Sequence, residues 1–183
     1  MTRSIRITNL CLLLLLVASG CSKPVQNSTT ASPAGPTPTK ALAEDKLVRS
    51  VDVVKTMAQP IEISAGGSGE AVVRLTIQNG YHINANPPAY PYLIATVLEA
   101  PAANGVSIAR VSYPKALSRK FVFAEKPLAV YEGDTELKAT VKADKSAQPG
   151  QQSLAAKLRI QACDEAVCYP PGTLDLVIPV SIK

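Results

Sequence analysis

Leu154-Ala155-Ala156-Lys157-Leu158-Arg159-Ile160 puts Leu154, Ala156, Leu158 and Ile160 on one side of an extended chain and Lys157 and Arg159 on the other. Alternation of this kind marks a half-buried strand, because successive side chains point to opposite faces. Downstream, Leu174, Leu176, Ile178, Val180 and Ile182 repeat it. Upstream, Val73-Arg74-Leu75-Thr76-Ile77-Gln78 and Leu137-Lys138-Ala139-Thr140-Val141-Lys142 do the same. Turn formers separate these runs: Gly66-Gly67-Ser68-Gly69, Asn79-Gly80, Asn104-Gly105, Gly133-Asp134, Pro149-Gly150 and Pro170-Pro171-Gly172. No stretch of ten residues keeps a helical period. Lys46–Met57 comes closest, and its Val48, Val51, Val53 and Val54 make a strand the expectation. Seven to nine short strands over residues 46–183 predict an all-β, antiparallel, immunoglobulin-like sandwich. The Cys–Trp–Cys core of antibody domains does not apply, since the chain has no Trp.

The N-terminal residues read differently. Arg3 and Arg6 precede an apolar run, Leu10 to Val17, which is shorter than the roughly 20 residues a spanning helix needs. Residues 1–20 are expected to be an export signal. Val17-Ala18-Ser19-Gly20-Cys21 resembles a bacterial lipobox, although Ala18 stands where Leu is usual. That resemblance implies lipidation of Cys21 and a membrane anchor. A plain secretory signal and a transmembrane anchor are the alternatives. Ser22, rather than Asp, follows Cys21, which favours the outer over the inner membrane by the enterobacterial rule. Residues 21–45 carry Pro24, Pro33, Pro36 and Pro38 among small polar residues, the composition of a disordered tether. Such a tether spans about 25–29 Å.

The chain carries 19 basic and 14 acidic residues, a net charge of +5. Without Arg3 and Arg6 there are 17 basic against 14 acidic, or +3, and the basic residues are scattered. Nothing resembles a nucleic-acid footprint.

Four cysteines are present. Cys11 lies in the expected signal and Cys21 in the lipobox, which leaves Cys163 and Cys168 in Gln161-Ala162-Cys163-Asp164-Glu165-Ala166-Val167-Cys168-Tyr169-Pro170-Pro171. Four intervening residues suit a tight loop, able to bring the Cα atoms into the disulfide range of about 4.4–6.8 Å. In the chain-entropy model so short a loop stabilises by only about 2 kcal/mol, against about 4.7 for a loop of 100 residues. Spacing alone leaves a structural bond, a redox-active pair and a metal site open. Metal is the weakest, because His82 is the chain's single histidine and Cys-x4-Cys is not a usual zinc half-site. No metal and no cofactor are expected.

The segment Gln161–Pro171 resembles the active-site segment of the N-terminal periplasmic domain of DsbD, the thiol:disulfide interchange protein. Asn79-Gly80-Tyr81-His82-Ile83-Asn84-Ala85-Asn86-Pro87, Tyr113-Pro114-Lys115-Ala116 and Val130-Tyr131-Glu132-Gly133-Asp134-Thr135-Glu136-Leu137 are similar to other stretches of that family in order and spacing. The resemblance covers residues 48–183. It implies an immunoglobulin-like sandwich, a redox-active Cys163–Cys168 pair and a protein-disulfide reductase activity. It implies a thioredoxin-like electron donor and periplasmic thiol-protein clients, in disulfide correction or cytochrome c maturation. Cys168 would form the mixed disulfide and Cys163 would resolve it. A cap loop shields the pair in that family, and Tyr131 is the expected cap aromatic here, although Leu128, Ala129 and Val130 replace its usual acidic and Phe flanks. Asp164 and Glu165 would raise the thiol pKa if they faced the sulfurs. His82, Asn84 and Tyr169 are expected neighbours of the pair. The resemblance does not extend to that family's membrane and thioredoxin-like domains, so a separate donor is the expectation. The reading from a different class is a non-catalytic immunoglobulin-like binding lipoprotein with a structural disulfide.

Overall fold

A computed structural model describes residues 48–183. The expected export signal, Cys21 and the expected tether fall outside the described residues. So do Lys46 and Leu47.

The alternating runs form the strands they predict, and the turn residues end them. A 3-10 turn, Ser50–Val53, leads into β1 (Val54–Ala58), β2 (Ile61–Ile63), β3 (Ser68–Ile77) and β4 (His82–Asn84). Next come β5 (Val97–Glu99), β6 (Val106–Ser112), β7 (Leu117–Arg119) and β8 (Leu128–Tyr131). β9 (Asp134–Ala143), β10 (Gly150–Ile160), β11 (Ala162–Cys163) and β12 (Gly172–Ile182) complete the described elements. The expected start of the fold is corrected: the Val-rich segment bends through a 3-10 turn before β1. Arg49 and Asp52 close that turn, the Arg49 Nη2 lying 2.7 Å from the carboxylate. The expected seven to nine strands become twelve among the described residues. The surplus consists of elements of two to three residues, too short to display a period.

Three sheets result, with strand orders β1-β3-β9-β6, β2-β12-β10-β5 and β11-β4-β8-β7. The first two face each other in an immunoglobulin-like sandwich. Val73 and Leu75 of β3, Leu137 and Val141 of β9, Leu154 and Leu158 of β10 and Ile178 and Val180 of β12 form one buried cluster between them. Fully burying one such side chain is worth roughly 1.5–3 kcal/mol. The polar positions face outward and pair across strands. Arg74 stands opposite Glu136 at 2.7 Å, and Lys157 opposite Asp175 at 2.7 Å. Pairing is antiparallel throughout except between β2 and β12, which run parallel with Val180 opposite Ile61.

The third sheet positions the site. Gln161 alone separates β10 from β11, so the long body strand runs on into the strand that carries Cys163. Gly80 takes a φ of +85° in the turn that delivers β4, a conformation open to glycine at no steric cost. The 3-10 turn packs against the start of β12 so closely that a Cβ at Gly172 would lie 2.6 Å from Val51 Cγ1.

Candidate functional site

Cys163 and Cys168 are joined as a disulfide at the base of a four-residue turn. The two cysteines form an antiparallel bridge. It is flanked by Tyr169 N–H donating to Ala162 C=O at 2.8 Å and Asp164 N–H donating to Val167 C=O at 2.9 Å. Their Cα atoms lie 3.9 Å apart, closer than the range expected from the sequence, because the pair is held face to face by that hairpin.

Asp164 builds the turn. Its Oδ1 accepts from Ala166 N–H at 2.7 Å and Val167 N–H at 2.8 Å, and its Oδ2 accepts from the Tyr169 hydroxyl. The Tyr169 bond, then the two amides, hold the Asp164 carboxyl below its ordinary range. The same carboxylate pushes the Tyr169 phenol up to about 12. Asp164 is therefore neither aimed at the sulfurs nor simply solvated. Glu165 sits exposed at the turn.

The two faces of the small sheet differ, and strand parity decides which residue sits where. Ala162 stands opposite Ile83, and Ile83 opposite Tyr131; all three belong to the main core. One residue along, Cys163 stands opposite His82, and Asn84 opposite Val130. These point to the other face, since directly paired residues share a side. A second apolar cluster of Phe121, Ala124, Leu128 and Val130 covers that face. Phe121 stacks on the His82 ring at 4.1 Å between centroids.

Tyr131 thus lies on the core side. It is buried, and its hydroxyl accepts from Asn86 N–H at 3.1 Å. Burial raises its phenol pKa. It does not line the hollow beside the disulfide. That hollow, about 400 Å³, is lined by Tyr92, Leu93, Phe123, Leu128, Val167 and Cys168. Two of these, Tyr92 and Phe123, are exposed aromatics. Lys120 shapes the loop that carries Phe123, its Nζ donating to the carbonyls of Ala124 and Glu125.

Around the pair, exposure is unequal. Cys163 is fully buried, whereas Cys168 is partly open to solvent. The rim beside Cys168 carries exposed apolar and aromatic side chains: Tyr92 at 73%, Val167 at 50% and Phe123 at 40%. His82 is 2% exposed and its Nε2 has no hydrogen-bond partner. Burial, the largest influence, lowers its pKa; Glu132, Glu165 and Asp164 oppose that shift, and Arg119 adds to it.

Four positions beyond the expected set shape the site. Gln161 Oε1 accepts from Asn84 Nδ2 and from Ile94 N–H, each at 3.0 Å, and its Nε2 donates to Tyr169 C=O at 3.3 Å. Asn84 is thereby locked one residue beyond β11 and does not reach into the hollow. Ser50, fully buried, donates to Pro170 C=O at 2.7 Å and accepts from Ala162 N–H at 2.9 Å, tying both arms of the cysteine hairpin to the 3-10 turn. Phe121 and Phe123 are the chain's two phenylalanines, set two apart beside Arg119-Lys120. That concentration was the available signal for the aromatic cluster beside His82 and the hollow. Ser50 had none, because its partners are more than a hundred positions away. Among the described residues, no group of three or more His, Cys, Asp or Glu side chains gathers in a metal-binding arrangement.

Comparison with known proteins adds the family. Among solved structures the chain is similar to the N-terminal periplasmic domain of ScsB from Proteus mirabilis, at 12% identity and a TM-score of 0.49, over 71% of this chain and 47% of that one. It therefore spans under half the length of that protein chain. It is also similar to AggA, the major subunit of aggregative adherence fimbriae type I from Escherichia coli, at 10% identity and a TM-score of 0.38, over 71% of this chain and 94% of that one. No curated protein matches the chain. The family described as "Thiol:disulfide interchange protein DsbD, N-terminal" matches residues 51–177, from the 3-10 turn across the cysteine hairpin and into β12. On that match the chain belongs to the family of the N-terminal domain of the thiol:disulfide interchange protein DsbD.

Proposed function

We propose that this protein is a thiol–disulfide exchange relay that passes reducing equivalents through Cys163 and Cys168 to exported proteins. The observation that carries this reading is the unequal exposure of the two sulfurs' residues. Cys168 opens into an apolar hollow, and Cys163 lies behind it without solvent contact. A partner thiolate reaches Cys168 first, and Cys163 is placed to resolve the mixed disulfide. In one cycle, the reduced pair gives two electrons to a client disulfide. Cys168 attacks a client sulfur, Cys163 then attacks Cys168, and the client leaves as two thiols while the Cys163–Cys168 bond re-forms. A thioredoxin-like dithiol, oxidised in turn, supplies the electrons for the next cycle. The site is periplasm-facing in this reading, with residues 46–183 as the working domain, held to the membrane by a lipid on Cys21 and the tether 21–45. Shielding, first expected of Tyr131, falls to Phe123 in the lining of the hollow.

Substitution of each cysteine tests the assignment. Cys163→Ala is expected to accumulate mixed disulfides with thioredoxin-like and client proteins, and Cys168→Ala to capture none. Equal capture by both variants would refute the roles. The potential of the pair tests the activity itself: a value well below about −300 mV marks a bond that thiol buffers do not reduce, and would leave only a structural disulfide.

A further inference from the structure

Exchange at a buried sulfur has a proton problem. The thiolate is the nucleophile, and burial in apolar surroundings holds a thiol protonated. Cys163 is fully buried, so bulk water has no direct access to its proton. The carboxylates nearby are occupied or remote. Asp164 is committed to Ala166, Val167 and Tyr169. Glu132 is held in a two-point pair by Arg119, at 2.9 and 2.6 Å. Glu165 is exposed on the turn.

His82 is different on each count. It is the direct cross-strand partner of Cys163, so the two side chains share a face of the sheet about 4.5–5.5 Å apart at Cβ. It is buried, and its Nε2 lacks a partner although buried polar atoms almost always have one. Phe121 stacked on the ring fixes its plane. Building on the relay reading, we propose that His82 is the proton acceptor for Cys163 in the resolving step.

The groups around the imidazole agree with that role. Burial and Arg119 disfavour its charged form, while Glu132, Glu165 and Asp164 favour it, and burial dominates. The resting imidazole is neutral and free to accept. The step then balances. His82 takes the proton from the Cys163 thiol, and the resulting thiolate attacks Cys168 Sγ. The Cys163–Cys168 bond forms as the bond between Cys168 and the client sulfur breaks. The electron pair leaves on the client sulfur, which takes up the proton returned by the imidazolium.

The reduced protein treated with dithiobis(nitrobenzoate) tests this, because each half of the reaction releases one coloured nitrothiobenzoate. The first release reports attack by Cys168 and the second reports resolution by Cys163. With His82→Gln, we expect the second release at pH 7 to slow by about 10²-fold or more, the usual scale of lost general-base help. The first release should change little, and the second should recover with rising pH as hydroxide replaces the imidazole. Equal rates and pH profiles in both releases would overturn the role of His82. A wild-type protein that fails to release both equivalents would instead overturn the relay reading. A measurement without substitution at 82 covers the case of a misfolded variant. The single histidine gives one set of ring resonances, and in the reduced wild type their titration should carry a second inflection from the cysteine. That inflection should vanish in Cys163→Ala. Identical one-step curves would remove His82 from the proton path.

Discussion

Leu158 in β10 and Cys163 in β11 lie five residues apart on nearly one line of chain, yet they belong to regions built by different rules. Around Leu158 every inward position is apolar, the strands apart from the edge strand β5 run ten or eleven residues, and polar side chains face out. Around Cys163 the strands are two to four residues long, and His82 and Asn84 are buried polar groups, each with one unpartnered atom. The body relies on area removed from water. The small sheet relies on a few side-chain hydrogen bonds drawn from distant segments, and it tolerates unmatched polarity where chemistry occurs.

Five substitutions would break or sharpen this contrast. Leu158→Ala should cost about 2–5 kcal/mol in chemical denaturation, as a cavity in a close-packed core does. The folded fraction should keep its thiol reactivity; altered reactivity would mean that the two regions are coupled. Ser50→Ala removes a hydroxyl that serves both arms of the hairpin and leaves the buried Ala162 N–H unmatched, a loss of about 1–3 kcal/mol. Amide exchange should rise at Ala162 and Tyr169 before it rises in β10. Uniform loss of protection across both would show one cooperative unit. Phe123→Ala should speed reduction of the disulfide by small thiols about threefold or more, through access, with stability nearly unchanged. An unchanged rate would remove Phe123 as the shield, whereas Tyr131→Ala should destabilise without that gain in rate.

The smallest effect concerns pH. Asp164 has a lowered pKa in the folded protein, so its contribution is present above the ordinary carboxylate value near 3.9 and is lost as pH falls through the lower folded value. Asp164→Asn should flatten stability in that acidic window and, by releasing the Tyr169 phenol, in the alkaline window from about 10 to about 12 as well. A changed slope near neutral pH would point to another group.

The contrast also explains what could be read in advance. Alternation over Val73–Gln78, Leu137–Lys142, Leu154–Ile160 and Leu174–Ile182 announces β3, β9, β10 and β12, because one face is uniformly buried. The turn at Gly133 and the cysteine hairpin were equally plain, being local. The parallel β2–β12 pair was not, since three residues of β2 carry no period. The side of β8 on which Tyr131 falls was not legible for a related reason. Tyr131 and Val130 are neighbours in sequence but face opposite sides of β8, and with so short a strand a one-residue difference in parity moves an aromatic from the sulfurs to the core. Residue spacing carried the cysteine pair, and the family resemblance carried His82. Spacing could not carry Ser50, Gln161 or Phe123, whose roles depend on segments brought together only by folding.

The parallel ladder between β2 and β12 has a consequence in time. It joins Ile61–Ile63 to Val180–Ile182, so that sheet cannot be completed until nearly the whole described chain is at hand. Closing a loop as short as the one between Cys163 and Cys168 takes on the order of 10–100 ns, while pairings between remote segments are intrinsically slow. The two sulfurs can therefore meet long before the sandwich closes behind them. A newly made chain passes through an interval in which both thiols are open to any oxidant, whereas in the folded protein exchange has to enter through Cys168.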